Sequence, residues 1–409
     1  MQENVIRLGI IGLGARSHTL LSALGRLQDL TITAVCDLDP AKIEDYAQRM
    51  SKYGMNTPDG YTDYRQMLKD PAIQGVLITT GWNSHLHIAI DVMRSGKYAG
   101  IEVGGAASIQ ELWDLVRAAE STGVSCMMLE NCCYARNELM VLNMVRQGLF
   151  GELVYCECGY EHSLGFEMSG YYANNIERCT HNICRNGDLY PTHGLGPIAK
   201  ILDINRGNRF LTISSHATKS RSYNLELQRY LGQNIHFNCG DIVTSVIHCA
   251  NGENITITHG VSLPRPYSRN GRVQGTKGIW LEDANGIYVE GLSTCVKNID
   301  DAGYPYLVHQ WDPVESFYEK YDHPIWKKHE SRILGGHGGI DGLTLSAFVE
   351  AIRLKCATPI DVYDCASWMA VTCLSEQSVA LGGMPVPFPD FTDGCWINRQ
   401  QGQKTQFDI

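Results

Sequence analysis

Hydrophobic positions in the first 130 residues fall into short unbroken runs separated by amphipathic stretches. Val5-Ile6-Arg7-Leu8-Gly9-Ile10-Ile11 reads as a buried strand, Leu30-Thr31-Ile32-Thr33-Ala34-Val35-Cys36 as a second, and residues 76–80, 99–103 and 125–129 as three more. Between them, stretches such as 108–121 place apolar residues at helical spacing. Continuous strand runs alternating with amphipathic helices predict an α/β fold with a doubly wound parallel sheet, whose ligands bind at the carboxyl ends of the strands.

The pattern changes in the second half. Strand-like runs cover residues 153–160, 211–215, 242–249 and 255–263, and Asn251-Gly252 between the last two marks a hairpin turn. Helical periodicity resumes at 342–354 and 366–381, and the stretch from Phe391 to Ile409 reads as a wrapping tail. This predicts an N-terminal Rossmann dinucleotide-binding domain over 1–131. A C-terminal α+β domain over 132–409, with a largely antiparallel sheet, then carries the substrate. A length of 409 residues suits two domains.

The first strand runs into Gly12-Leu13-Gly14-Ala15-Arg16-Ser17 and then a helix through Leu20, Leu21 and Leu24. Strand, glycine turn and helix in that order form the setting a dinucleotide fingerprint requires. Gly12 permits the turn, Gly14 admits a pyrophosphate to the helix N-terminus, and Ser17 replaces the third glycine as a small packing residue. Asp37 closes the second strand about twenty residues on, where a carboxylate accepts the ribose hydroxyls and repels a 2′-phosphate. No Arg follows it, which favours NAD over NADP. Thr80, Trp82, His85, Glu102 and Asn131 lie towards the same sheet edge and join the cofactor-side candidates. His87 reads as a packing residue at a helix start.

Composition narrows the class. Hydrophobic residues at 44% and charged ones at 19% describe an ordinary globular chain, and a net charge of −10 argues against nucleic acid or an anionic membrane as partner. No apolar run approaches the roughly 18 residues of a spanning helix. The fifteen scattered cysteines, odd in number, read as reduced thiols and not as a disulfide framework. Cys132-Cys133, Cys156-x-Cys158 and Cys179-x-His181 to Cys184 lack structural zinc spacing, so no metal is expected. A cytoplasmic location is expected, an exported form staying open should a leader precede Met1.

The block Asn186-Gly187-Asp188-Leu189-Tyr190-Pro191-Thr192-His193-Gly194-Leu195-Gly196-Pro197 carries the candidate chemistry. A helix opening after Pro191 puts the Tyr190 phenol and His193 imidazole about one turn apart, able to address one substrate. Both groups move protons, His near neutral pH. His337, within Gly335-Gly336-His337-Gly338-Gly339, reads equally as site-lining or as a turn residue. Trp326 reads as core packing ahead of sugar stacking.

Several segments resemble the Gfo/Idh/MocA family of nicotinamide oxidoreductases: Ala34-Val35-Cys36-Asp37, residues 85–97 and Gly148-Leu149-Phe150-Gly151-Glu152. Many members carry Glu-Lys-Pro after the fourth strand, with the Lys acting in hydride chemistry, where this chain has Glu102-Val103-Gly104. That substitution is similar to one branch, glycoside hydrolase family 109, whose members are NAD-dependent alpha-N-acetylgalactosaminidases. The similarity extends through Glu130-Asn131-Cys132-Cys133-Tyr134, the Tyr-Pro-Thr-His block, Pro264-Arg265-Pro266-Tyr267-Ser268-Arg269 and Gly336-His337-Gly338-Gly339. It implies Glu130 near the nicotinamide end, Tyr160 facing the sugar, Arg178 and Tyr267 as sugar binders, and Tyr190 with His193 as the substrate pair. Glu177 stands where the family has a Trp, which removes an aromatic platform.

A direct glycosidase needs two opposed carboxylates, and the second half shows no compelling pair. The resemblance implies a redox route with bound NAD: transient oxidation at C3, elimination across C1 and C2, addition of water and return of the hydride. On that reading His193 and Tyr190 surround the C3 oxygen and Tyr160 is the candidate C2 base. A sugar or cyclitol dehydrogenase releasing NADH and a non-catalytic sugar sensor are the alternatives. The sheet's exposed face suggests a homo-oligomer, a dimer or larger.

Overall fold

The computed structural model describes residues 5–293, 295–399 and 404–409. Its first sheet contains β1 (Ile6–Ile11), β2 (Leu30–Cys36), β3 (Asp59–Tyr61), β4 (Gly75–Ile78), β5 (Tyr98–Ile101) and β6 (Cys126–Met128). The strands are all parallel, in the order β3-β2-β1-β4-β5-β6. Chain order reverses between β1 and β4, which opens a crevice beyond their carboxyl ends. The apolar runs form strands because helices cover both faces: Leu8, Val76, Leu77, Ile78 and Ile101 are fully buried. The short β3 has no apolar run to announce it.

Local chemistry sets the helix ends. The helix Ile109–Thr122 starts where the Ser108 hydroxyl accepts from the Glu111 amide, and it stops at Gly123, whose φ is +67°. The helix after β4 runs Trp82–Arg94, so it starts five residues before His87. Gly81, without a side chain, leaves that first turn uncapped by its own residues.

The second sheet contains β7 (Leu153–Glu161), β8 (Phe210–Ala217), β9 (Val243–Cys249), β10 (Asn254–Gly260), β11 (Arg272–Gly275), β12 (Gly278–Leu281) and β13 (Gly286–Val289). A small hairpin of β14 (Cys295–Ile299) and β15 (Pro305–His309) stands apart from it. Two short edge strands, β16 (Asp312–Pro313) and β17 (Val386–Pro387), complete the order β16-β13-β12-β11-β7-β10-β9-β8-β17. Pairing is antiparallel throughout except between β7 and β10. The β9–β10 turn passes through Gly252 at φ +101°, a left-handed position that favours glycine. In β9 buried and exposed residues alternate strictly, leaving Thr244, Val246 and His248 on a bare face.

Two late helices knit the molecule together. Ile340–Leu354 returns to the first sheet, where a Cβ on Gly75 would lie 2.6 Å from Ile352 and 3.3 Å from Phe348. Val362–Ala380 is held by a capping box at Asp361 and Asp364 and buries Trp368 completely. Trp326 packs, its indole N–H donating to the Tyr134 carbonyl at 3.0 Å. The tail is anchored by buried Phe407 and Ile409, and the Tyr134 hydroxyl donates to the Phe407 carbonyl.

Candidate active site

At the β1–β4 crevice a cavity of about 610 Å³ runs along Gly12, Gly14, Asp37, Lys42, Arg65 and Thr80. A second, about 430 Å³, continues from Thr80 and Gly81 past Arg16, Trp82, Glu102 and Asn131 to Tyr160, Arg178, Tyr190 and His193. A larger space of 960 Å³ by Arg146, Arg206 and Asp408 holds none of the predicted site residues.

The first cavity fits a dinucleotide. Gly12 sits at φ +91°, and a Cβ there would lie 2.8 Å from the Thr80 amide nitrogen. A Cβ on Gly14 would meet nothing within 4 Å, so the space over the helix Ala15–Leu24 is open to a phosphate. The Thr80 hydroxyl is buried with no partner among the described residues. Asp37 fixes the turn, its carboxylate accepting from the Leu13 and Asp39 amides at 2.8 and 3.1 Å.

Three of the cofactor-side residues, His85, Ser17 and Leu13, line neither cavity. His85 is fully buried within the helix Trp82–Arg94, away from both cavities. Neither of its ring nitrogens has a hydrogen-bond partner among the described residues, and burial pushes its pKa down to about 4. Helical rotation, not distance along the chain, decides this: Trp82 faces the cleft and His85 the interior. Ser17 is buried with its hydroxyl donating to the Gly14 carbonyl at 2.8 Å, so it braces the turn. Leu13 has a buried side chain and its amide is taken by Asp37.

Arg16 turns into the second cavity and is shared between Glu102 at 2.8 Å and Asp341 at 2.9 Å. Asp341 also accepts from the Asn131 amide nitrogen at 2.8 Å and contacts His337 Nδ1 at 3.2 Å. Burial opposes ionisation of Asp341, but His337 and Arg16 outweigh it and hold its carboxyl far below the usual range. His337 thus lines the cleft.

Pro191 precedes the helix Thr192–Ile201, and the Tyr190 and His193 rings meet at 4.9 Å. Tyr160, from the end of β7, stacks on Tyr190 at 4.4 Å, with His193 5.5 Å and Tyr267 6.1 Å away. The Arg178 guanidinium lies over Tyr190 at 4.6 Å and Tyr160 at 5.6 Å. Gly194 allows this helix to seat against β7: a Cβ there would lie 2.5 Å from the Gly159 backbone.

Behind His193, Nδ1 contacts Glu130 Oε1 at 2.7 Å, and the other Glu130 oxygen is buried with no hydrogen-bond partner among the described residues. Burial favours the neutral ring, yet the Cys132 sulfur, the Glu130 carboxylate and the Tyr190 phenol outweigh it and hold His193 well above its ordinary pKa. Glu130 moves the opposite way: burial resists its charge and His193 overcomes this, lowering its pKa. The two form a buried ion pair. Ligand atoms of Glu130, Cys132 and His193 lie within 4.8 Å of one another, whereas His181 meets Glu177 rather than a cysteine.

Glu177 has a role no sequence signal announced. Its carboxylate accepts from the Asn83 amide at 2.6 Å and contacts His181 at 3.0 Å, capping the helix Trp82–Arg94 from the other domain. A Cβ on Gly81 would sit 2.1 Å from it. Trp82 supplies an indole at this mouth, 5.1 Å from His181 and 5.8 Å from Tyr190.

A dinucleotide crevice opening onto a cluster of phenols, imidazole and guanidinium from the second domain defines an oxidoreductase-type Rossmann protein. Residues 6–130 match the family model described as oxidoreductase family, NAD-binding Rossmann fold, and residues 134–398 match glycosyl hydrolase 109, C-terminal domain. The chain belongs to glycosyl hydrolase family 109. An alpha-N-acetylgalactosaminidase of Tannerella forsythia is 40% identical, covering 97% of this chain and 88% of the relative. One from Shewanella oneidensis is 39% identical over 96% and 86%. Among solved structures, an NAD binding oxidoreductase from Klebsiella pneumoniae aligns with TM-score 0.72 at 16% identity, covering 95% of this chain and 100% of that one. Scyllo-inositol dehydrogenase from Lactobacillus casei with NAD(H) aligns with TM-score 0.65 at 13%, over 94% and 99%. At these identities the last two speak for the fold alone.

Proposed function

We propose that the protein is an NAD-dependent alpha-N-acetylgalactosaminidase that cleaves its glycoside by transient oxidation of the sugar ring. The observation that carries this is the commitment of every carboxylate in the cleft. Glu102 is paired with Arg16, Glu177 caps a helix and Glu130 is paired with His193. None is left as a free acid or nucleophile, as double displacement at C1 demands. The proton-moving groups lining the cleft are Tyr160, Tyr190 and His193, whose Nδ1 is held by Glu130, with Tyr267 beside Tyr160.

NAD, when bound, supplies a hydride acceptor and donor for C3. His193 accepts the C3 hydroxyl proton at Nε2 while Glu130 stabilises the resulting charge through Nδ1, the division of labour of a base and its orienting carboxylate. With a carbonyl at C3 the C2 hydrogen becomes acidic, and Tyr160, close to the Arg178 charge, removes it. The C1 substituent leaves as its alcohol, water adds at C1, and C2 regains a proton. Arg178 and Tyr267 hold hydroxyl or acetamido oxygens, and Trp82 offers the apolar platform. Relatives named for this activity, similar over nearly the whole chain, support the choice of sugar.

Hydrolysis of a nitrophenyl alpha-N-acetylgalactosaminide in D₂O tests the reading. The expected product carries deuterium at C2, with no NADH accumulating. Protium retained at C2 rules out the elimination route, and stoichiometric NADH selects a net dehydrogenase.

A further inference from the structure

The turn that follows β6 gathers three groups able to ligate a metal ion. Glu130 precedes the turn Asn131–Tyr134, and its Oε1 accepts from the Cys132 amide at 3.1 Å, which fixes carboxylate and sulfur on one short loop. The helix Thr192–Ile201 brings His193 against them. Its close approach needs Gly196, where a Cβ would lie 3.0 Å from both Glu130 Cγ and Cys133 Sγ. A carboxylate oxygen of Glu130, the Cys132 sulfur and a His193 ring nitrogen thereby lie within 4.8 Å of one another.

Two further observations make a site of this proximity. Glu130 is fully buried, yet its Oε2 has no hydrogen-bond partner among the described residues. A carboxylate oxygen so placed has lost its water without a replacement, and a cation supplies what it lacks. The second is access. The His193 side chain, 13% exposed, lines the 430 Å³ cavity beside Tyr160 and Trp82, so an ion reaches the cluster through the cleft.

The donor set selects the ion. Sulfur with imidazole and carboxylate suits zinc, whereas magnesium and calcium take oxygen ligands. A thiolate, a carboxylate and a neutral imidazole together carry two negative charges, which balance a divalent cation where little water can. Zinc bonds of about 2.0–2.3 Å at tetrahedral angles set ligand atoms roughly 3.3–3.8 Å apart. The sulfur therefore moves inward, and the Glu130–His193 contact, 2.7 Å in the free protein, opens to admit the ion.

We propose that Glu130, Cys132 and His193 form a three-ligand site for a thiophilic divalent cation of the zinc class, whose occupation switches the cleft off. The cation takes the place of the proton held between ring and carboxylate, and the displaced protons pass to solvent. Three protein ligands leave one tetrahedral position for water. A cation on the ring suppresses its basicity, so His193 no longer takes a hydroxyl proton. Binding rests on the cluster alone, and the switch rests on the proton role given to His193 above.

The test titrates the purified full chain with ZnCl₂ against a chromophoric chelator, and separately with CoCl₂. One tight zinc equivalent is expected, and cobalt is expected to show a thiolate-to-metal charge-transfer band. Cys132→Ser and Cys132→Ala each lose the band and weaken zinc about 100-fold or more, since a direct ligand counts for at least as much as the groups that orient it. A variant with Cys184→Ser and Cys395→Ser, which removes two exposed thiols, keeps both signals. Unchanged zinc affinity in the Cys132 variants overturns the site, as does cobalt bound without a thiolate band in wild type. Hydrolysis by wild type falls in step with zinc occupancy and returns on adding chelator, and undiminished turnover at full occupancy overturns the switch. The binding readouts stand whether or not a glycoside is hydrolysed.

Discussion

Against burial, the Cys132 sulfur and the Glu130 carboxylate hold the His193 pKa above the ordinary histidine range, so the neutral ring needed to take a hydroxyl proton forms at higher pH than in a free imidazole. The acid limb of kcat/KM is therefore expected above pH 6.5, activity rising as pH passes through the elevated pKa. Glu130→Gln removes one of the charges that raise the His193 pKa, beside that of the Cys132 sulfur. Its limb is expected at lower pH, with a plateau about 10²-fold or more below wild type. A limb that stays put separates Glu130 from His193 function. Tyr190 and His193 were legible together because they lie three residues apart, on either side of the helix start at Thr192. Glu130 lies 63 residues away, so only the fold makes it the partner of His193.

Among the elements, the segment leading into the helix Thr192–Ile201 carries a hidden titration. Asp188 is buried, its carboxylate accepts from the Tyr190 amide at 3.1 Å, and burial pushes its pKa up to about 7. A carboxyl raised above its unfolded value favours the folded state while protonated. That contribution is complete below about pH 4 and disappears as pH rises through 7. Urea unfolding of Asp188→Asn is expected to lack the part of the pH dependence that wild type shows in this window. An unchanged profile assigns the dependence elsewhere. The strand runs and the Asn251-Gly252 hairpin were readable from periodicity, and so was the glycine turn. The start of the helix at Trp82 was not, because its cap is Glu177, which arrives from the other domain. The same displacement explains His85: five residues' difference in where the helix begins changes which face it occupies.

Taken as a whole, the molecule is stabilised by chain that crosses between its sheets. Phe348, fully buried, meets Gly75 and Gly100 on the first sheet although it lies in the last quarter of the sequence. Phe348→Ala is expected to cost about 3–5 kcal/mol of unfolding free energy, measured by urea denaturation. It is also expected to loosen the crevice, since the same helix carries Asp341 at its start. A loss under 1 kcal/mol shows that this helix docks elsewhere.

The order of elements, the dinucleotide turn and the pairing of phenol with imidazole follow from residues close in sequence, where hydrophobic period, glycine and helical pitch act locally. The carboxylate behind His193, the interdomain cap made by Glu177, the inward face given to His85 and the Arg16–Asp341–His337 chain were decided only in three dimensions. Each depends on side chains brought together from distant segments, and burial, which sets their charge, exists only once the two sheets and the returning helix have closed on one another.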